Sequence, residues 1–209
     1  MNVEDYILMH GDAEPDYLSA INRKTHQKIL NPRMLSGHLQ GRVLAMFSKM
    51  IQPDVILEIG TFTGYSALCL AEGLSAKGKL HTIECDDELE DFIRKNFEKS
   101  PYNEQIELHI GDAKDIIDDL HHTFDLIFID ADKREYQTYY DAVFPKLRSG
   151  GFMLIDNTLW NDKVLEEENG KRDKQTAAIL AFNENIARDT RIEKLILPLR
   201  DGLTLIRKK

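Results

Sequence analysis

Acidic residues recur in this chain at one kind of place, the end of a short strand-like pattern. Glu58 lies near the end of the run at 55–59, Glu84 closes the run at 80–84, and Asp112 follows 106–110 after Gly111. Asp130 follows 126–129 and Asp156 follows 152–155. One acid in such a position starts a turn or caps the next helix. A series of them implies more. If the runs are parallel strands, their carboxyl ends face a common crevice. Carboxylates gathered there need hydrogen bonds or cations to stay charged, so the chemistry this pattern suggests is cation binding.

The stretch VILEIGTFTGYSA at 55–67 reads as a buried strand, a glycine loop and the opening of a helix. Gly60 and Gly64 permit a sharp turn and a close ligand approach. The loop lacks the Gly-Lys-Ser/Thr ending of a P-loop, and its glycine spacing is not G-x-G-x-x-G. Glu58 beside it would repel a pyrophosphate and favour a cation. S-adenosylmethionine (SAM), with a sulfonium and an ammonium, fits that sign. Glu84 is placed to accept from a ribose diol and Asp112 to fix an adenine amino group. These two acids fit NAD as well as SAM. A second constellation joins DADKREY at 130–136 to Asp156 and Asn157. Asp130, Asp156 and Asn157 offer hard oxygen ligands at neighbouring strand ends, suited to Mg²⁺, which usually keeps waters and leaves room for substrate oxygens.

Taken together, LEIGTFTGYS at 57–66, IDADK at 129–133, Tyr136, DNTLW at 156–160 and LPLRDGLT at 197–204 resemble the metal-dependent O-methyltransferases related to catechol and caffeoyl-CoA O-methyltransferases, especially the small bacterial members. The resemblance covers nearly the whole chain. It implies Asp130, Asp156 and Asn157 as ligands of Mg²⁺ or another divalent cation such as Mn²⁺ or Ca²⁺. It implies Lys133 as general base toward the substrate hydroxyl. Glu58, Gly60, Ser66, Glu84 and Asp112 match SAM contacts, with Met34, Asp130 and Tyr136 near the cofactor or substrate. It also implies a homodimer.

Elementary chemistry agrees with that mechanism. A phenol of pKa ~10 is mostly protonated at neutral pH. A divalent cation stabilises the phenolate, and two-point chelation fixes its position against the methyl carbon. Lys133 can take the proton if burial and a metal depress its pKa, while Asp132 next to it pushes the other way.

The elements that must carry these residues are α/β in pattern. From Val55 onward, strands at 55–59, 80–84, 106–110, 126–129 and 152–155 alternate with helical stretches at 65–74, 87–99, 113–120 and 136–147. Strand patterns at 194–199 and 203–207 flank Asp201-Gly202, a hairpin signal, so the sheet ends in an antiparallel strand. The expected fold is a Rossmann-like SAM-methyltransferase fold: a mainly parallel, seven-stranded sheet with an antiparallel C-terminal strand and N-terminal helices. Residues 1–50 read as a helical appendage, broken near 11–15 and at Pro32, on a core at 51–209, all within a single domain at 1–209. The seven histidines form no H-E-x-x-H pair, and His121-His122 reads as loop. Residues 166–173 read as a solvated loop after the metal motif, placed to act as a substrate lid.

The chain has 209 residues, 42% hydrophobic and 30% charged, in the range of a globular protein with a substantial core. No signal peptide or membrane-length apolar run is visible, so a cytoplasmic location is expected. Cys69 and Cys85 lack metal-ligand spacing. The net charge of −9 weighs against a general nucleic-acid surface. The expected function is methyl transfer from SAM to a small aromatic hydroxyl of catechol type. The rivals are a tRNA hydroxyuridine O-methyltransferase of the same fold, a non-catalytic SAM-binding module and an NAD-dependent oxidoreductase.

Overall fold

The computed structural model describes residues 3–165 and 173–209, so most of the loop read as a lid lies outside the described residues. Seven strands form one sheet: β1 (Val55–Ile59), β2 (Lys79–Glu84), β3 (Ile106–Ile110), β4 (Phe124–Ile129), β5 (Leu147–Ile155), β6 (Ile192–Leu197) and β7 (Leu203–Lys208). Their spatial order is β3-β2-β1-β4-β5-β7-β6. The first five run parallel, while β7 is antiparallel to both β5 and β6. The expected hairpin is therefore present, and its second strand inserts between β5 and β6. The chain leaves β1 for β2 and β3 on one side, then returns to β4 on the other. This reversal makes the carboxyl ends of β1 and β4 a switch point, where open α/β sheets bind ligands.

Both faces of the sheet are covered, which is why the central strands read as continuous apolar runs. One face packs Leu57, Ile59, Ile127, Ile129 and Met153 against helices α6 (Ala113–Asp119), α7 (Tyr136–Val143) and α8 (Lys174–Arg188). The other packs Ile56, Leu80, Leu126, Phe128 and Leu154 against α2 (Asp16–Lys28), α3 (Gly37–Ile51), α4 (Tyr65–Ala71) and α5 (Glu90–Phe97). Leu18, Ile21, Leu44 and Ala45 of the N-terminal segment sit in this second layer at 5% exposure or less. In contrast, α1 (Val3–His10) buries none of its residues.

Some boundaries differ from expectation for local reasons. β5 begins at Leu147 rather than 152, because its pairing with β4 starts opposite Phe124 and, across a register shift that takes in Gly150 and Gly151, resumes at Phe152 opposite Leu126. Correspondingly, α7 ends at Val143 instead of reaching 147. The helix expected from 87 opens as a 3-10 turn, Asp87–Leu89, with Asp86 accepting from the backbone N–H of Glu88, and becomes α-helical only at Glu90. β6 stops at Leu197, before Pro198, which has no N–H to donate.

Candidate functional site

The switch point opens into a cleft of about 1630 Å³. Its wall includes Met34, Gly60, Ser66, Glu84, Asp112, Asp130, Lys133, Asp156 and Asn157, from seven separate stretches of chain. Glu58 and Tyr136 are absent from the wall and lie behind it, at 0% and 1% exposure.

The floor is the turn after β1. Gly60 has φ 98°, and a Cβ there would lie 2.1 Å from the carbonyl oxygen of Asp130. Only glycine lets the two switch-point loops touch in this way. Glu84 fixes the loop from the side: its carboxylate accepts from the backbone N–H groups of Phe62 (2.6 Å) and Asp86 (3.0 Å). An ionised carboxylate has about four acceptor positions, so it can still receive hydroxyl donors from the cleft. Asp112 combines a structural position with a place on the cleft. It caps α6 by accepting from the backbone N–H of Lys114 (2.9 Å), and it lines the cleft.

Glu58 sits under this floor. Its Oε2 accepts from the Thr82 hydroxyl, which must therefore accept from Thr61 (2.5 Å). Its Oε1 lacks a hydrogen bond of full geometry. Burial pushes the acid up to about 8, and the charges of Asp130 and Glu84 add to the effect; the hydroxyls of Ser66 and Thr82 oppose it. Here Glu58 acts on the cleft through the loop above it, not as part of the wall. A cation at the floor would favour its ionised form.

The far wall comes from β4 and β5. Their register pairs Ile129 with Ile155, which makes Asp130 and Asp156 neighbours at the strand ends. Asp156 is 2% exposed. Burial and the Asp130 charge hold its carboxyl above the usual carboxylate range, against the opposing effects of Gln40, the Asn157 N–H and Lys133. Asn157 follows in left-handed geometry (φ 58°), its Nδ2 turned toward Asp201 (3.5 Å). The donor set fits a hard divalent cation: the Asp130 charge bears on the buried Asp156 carboxyl, and Asn157, which carries an amide oxygen, lines the same cleft. Lys133 Nζ lies 2.7 Å from Asp130 Oδ1 and is the counter-ion to this pair. Asp132 caps the 3-10 turn Lys133–Glu135 and is paired first with the Arg134 guanidinium, with Lys133 a lesser charge beside it. Tyr136 donates from its hydroxyl to the Asp156 carbonyl (2.9 Å), which makes it a support of that strand end.

Two supporting residues, Gln40 and Arg200, were not among the site residues expected from the sequence, although Arg200 lies within the LPLRDGLT motif. Gln40 of α3, fully buried, donates from Nε2 to Asp156 Oδ2 (2.8 Å). Its Oε1 accepts from Arg200 (3.2 Å), whose guanidinium also donates to the carbonyls of Leu35 (3.1 Å) and Ser36. This chain ties the N-terminal segment, the metal-type acids and the β6–β7 connection into one network. Gln40 is separated from Asp156 by 116 residues, a distance that no local pattern spans. Trp160, the last residue of the DNTLW motif, lines the cleft.

A family model described as O-methyltransferase matches residues 9–209. Caffeoyl-CoA O-methyltransferase 1 of Nicotiana tabacum is 34% identical, covering 93% of this chain and 85% of the relative. Catechol O-methyltransferase domain-containing protein 1 of Mus musculus is 32% identical over 96% of this chain and 77% of its own length. Among solved structures, an O-methyltransferase from Bacillus cereus in complex with SAH superimposes with a TM-score of 0.91 at 28% identity, covering 99% of this chain and 97% of that one. An SAH-bound methyltransferase from Podospora anserina gives 0.90 at 28% identity, covering 99% and 94%.

Proposed function

This chain belongs to the O-methyltransferase family and is a SAM-dependent enzyme of the caffeoyl-CoA and catechol type, and we propose that its acceptor is a hydroxyl of a vicinal dihydroxy aromatic and that its reaction depends on a divalent cation, Mg²⁺ first. The enzyme assignment sets aside the NAD and non-catalytic readings. The observation that carries the proposal is the joining of Asp130, Asp156, Asn157 and Lys133 at adjacent strand ends, beside Glu84 and Asp112 on the same cleft.

SAM, when bound, supplies a methyl group on a sulfonium for in-line transfer to oxygen. The cation, when bound, supplies Lewis acidity that favours a phenolate at neutral pH. Asp130, Asp156 and Asn157 would hold that cation. Glu84 accepts from the ribose hydroxyls while it anchors the glycine loop, and Asp112 orients the adenine end. Gly60, Ser66 and Met34 line the donor's side of the cleft. Lys133 takes the proton from the acceptor hydroxyl at Nζ only as the neutral amine, so it must first release its own proton to solvent and with it the ion pair to Asp130. Gln40 and Tyr136 hold Asp156 in place from its side chain and its carbonyl.

The test is methyl transfer from SAM to a simple catechol with Mg²⁺ and again with EDTA. Product only with Mg²⁺ is expected. A protein that binds SAM yet methylates no catechol in either condition would remove this acceptor class, and tRNA would be assayed next. Equal product in EDTA would remove the metal.

A further inference from the structure

A second cluster of potential ligands lies away from the cleft, between β2 and β3. The register pairs His81 with Glu107, and His109 is two residues further along β3. Successive residues alternate faces, so Glu107 and His109 project to the same side as each other. His81 Nδ1 lies 3.1 Å from His109 Nε2 and 3.4 Å from Glu107 Oε2. All three residues offer a ligand atom within 4.8 Å of the others. A tetrahedral Zn²⁺ with bonds of about 2.0–2.1 Å sets its ligands about 3.3 Å apart. Two edges of that tetrahedron are thus already close to length.

We propose that His81, Glu107 and His109 bind a divalent transition-metal ion of the Zn²⁺ class, at a site separate from the methyl-transfer cleft. Two imidazoles and one carboxylate leave a fourth position for water. Imidazole ligands select against Mg²⁺ and Ca²⁺, which prefer all-oxygen sets. The His81 ring is 3% exposed, with the His122 ring stacked at 4.6 Å and the edge of Phe124 at 6.4 Å, so its rotation is restricted. Burial keeps His81 and His109 below the usual histidine range, which leaves ring nitrogens unprotonated at neutral pH as metal binding requires. Lys79, 3.5 Å from Glu107 Oε1, is the charge that the ion must compete with.

The site has a structural consequence. β3 is an edge strand, bonded only to β2. An ion shared by His81 and the two β3 ligands would clamp that edge, and β3 leads directly into Gly111 and Asp112 of the cleft wall. Neither HExxH nor any other local spacing marks the cluster, because its members come from two strands.

The experiment is calorimetric titration of Zn²⁺ into the EDTA-stripped full chain with excess Mg²⁺ present, followed by thermal melts with and without Zn²⁺. Wild type should take up one equivalent and melt higher with Zn²⁺. Glu107→Gln, at an exposed position, and His109→Ala, at a half-buried one, should each weaken Zn²⁺ at least about tenfold and lose the rise in melting temperature. Asp156→Asn should retain both. No Zn²⁺ uptake by wild type, undiminished uptake in both cluster variants, or uptake lost only in Asp156→Asn would each overturn the proposal. Circular dichroism of the variants checks that their folds match wild type.

Discussion

The cleft at the switch point and the histidine cluster between β2 and β3 are both groups of titratable residues drawn into a desolvated place. Burial acts on them with opposite consequences. It drives carboxyls such as Glu58 and Asp156 toward the protonated form, which is a poor cation ligand. It drives His81 and His109 toward the neutral form, which is the ligand form. Glu58 and Asp156 are therefore favoured in their ionised form only with a cation, or Lys133 in its place, nearby. The imidazoles need nothing. A site built from buried acids stores unfavourable electrostatics that binding relieves, whereas one built from buried imidazoles is ready without it.

The most direct way to break this comparison is to remove the cleft's own cation. Lys133→Ala should lower kcat by about 10²–10⁴ if the lysine acts on the acceptor proton, with SAM affinity little changed by calorimetry. An unchanged kcat would reduce Lys133 to a surface counter-ion of Asp130.

The opposite signs can be read as stability against pH. Glu58 rises from 4.5 to about 8 on folding. Between those values the native state holds a proton that the unfolded chain has released, so stability falls as pH rises, on the order of 4 kcal/mol across the window. The groups facing it are Asp130, Glu84, Ser66 and Thr82. Urea midpoints of the metal-free protein should show wild type losing ground to Glu58→Gln between pH 5 and pH 8. His81 falls from 6.5 to about 4 among Glu107, His109, His122 and Lys79. There the unfolded chain binds the extra proton, so stability is lost as pH falls through that range, by about 3 kcal/mol. Wild type should lose ground to His81→Gln on acidification. Parallel curves for either pair would remove the corresponding burial effect.

A finer probe separates holding a cation from placing its ligands. Gln40→Ala leaves every proposed ligand intact but removes the donor to Asp156 Oδ2. Mg²⁺ affinity should drop by about 10–100-fold, the usual cost of losing a supporting partner, while SAM affinity measured without metal stays near wild type. A Mg²⁺ affinity equal to wild type would mean that Asn157 and Tyr136 suffice to hold Asp156.

Several features were legible before any fold was seen. The strand patterns with acids at their ends mark β1 to β5; β1 and β4, covered on both faces, read as apolar runs, and the acids fall where the strands open on the cleft. Asp201-Gly202 marked the β6–β7 hairpin through its turn chemistry. Less was legible where two explanations share a residue. Asp112 looks the same in sequence whether it caps a helix or lines a cleft, and here it does both. Glu58 of β1 and Tyr136 at the start of α7 lie buried behind the cleft wall, a depth that comes from packing across the sheet and not from the pattern of either stretch.

The sequence by itself determined the alternation of strands and helices, the glycine turn after β1, and the acids at the carboxyl ends, because each follows from local sterics, periodicity and charge. Only the tertiary structure decided that Gln40 and Arg200 brace Asp156, and that His81, Glu107 and His109 converge. Those contacts join residues brought together by strand order and helix packing. Register across a sheet and closure of an N-terminal helix over it are set by the burial of the whole core, which leaves no mark on any one stretch of chain.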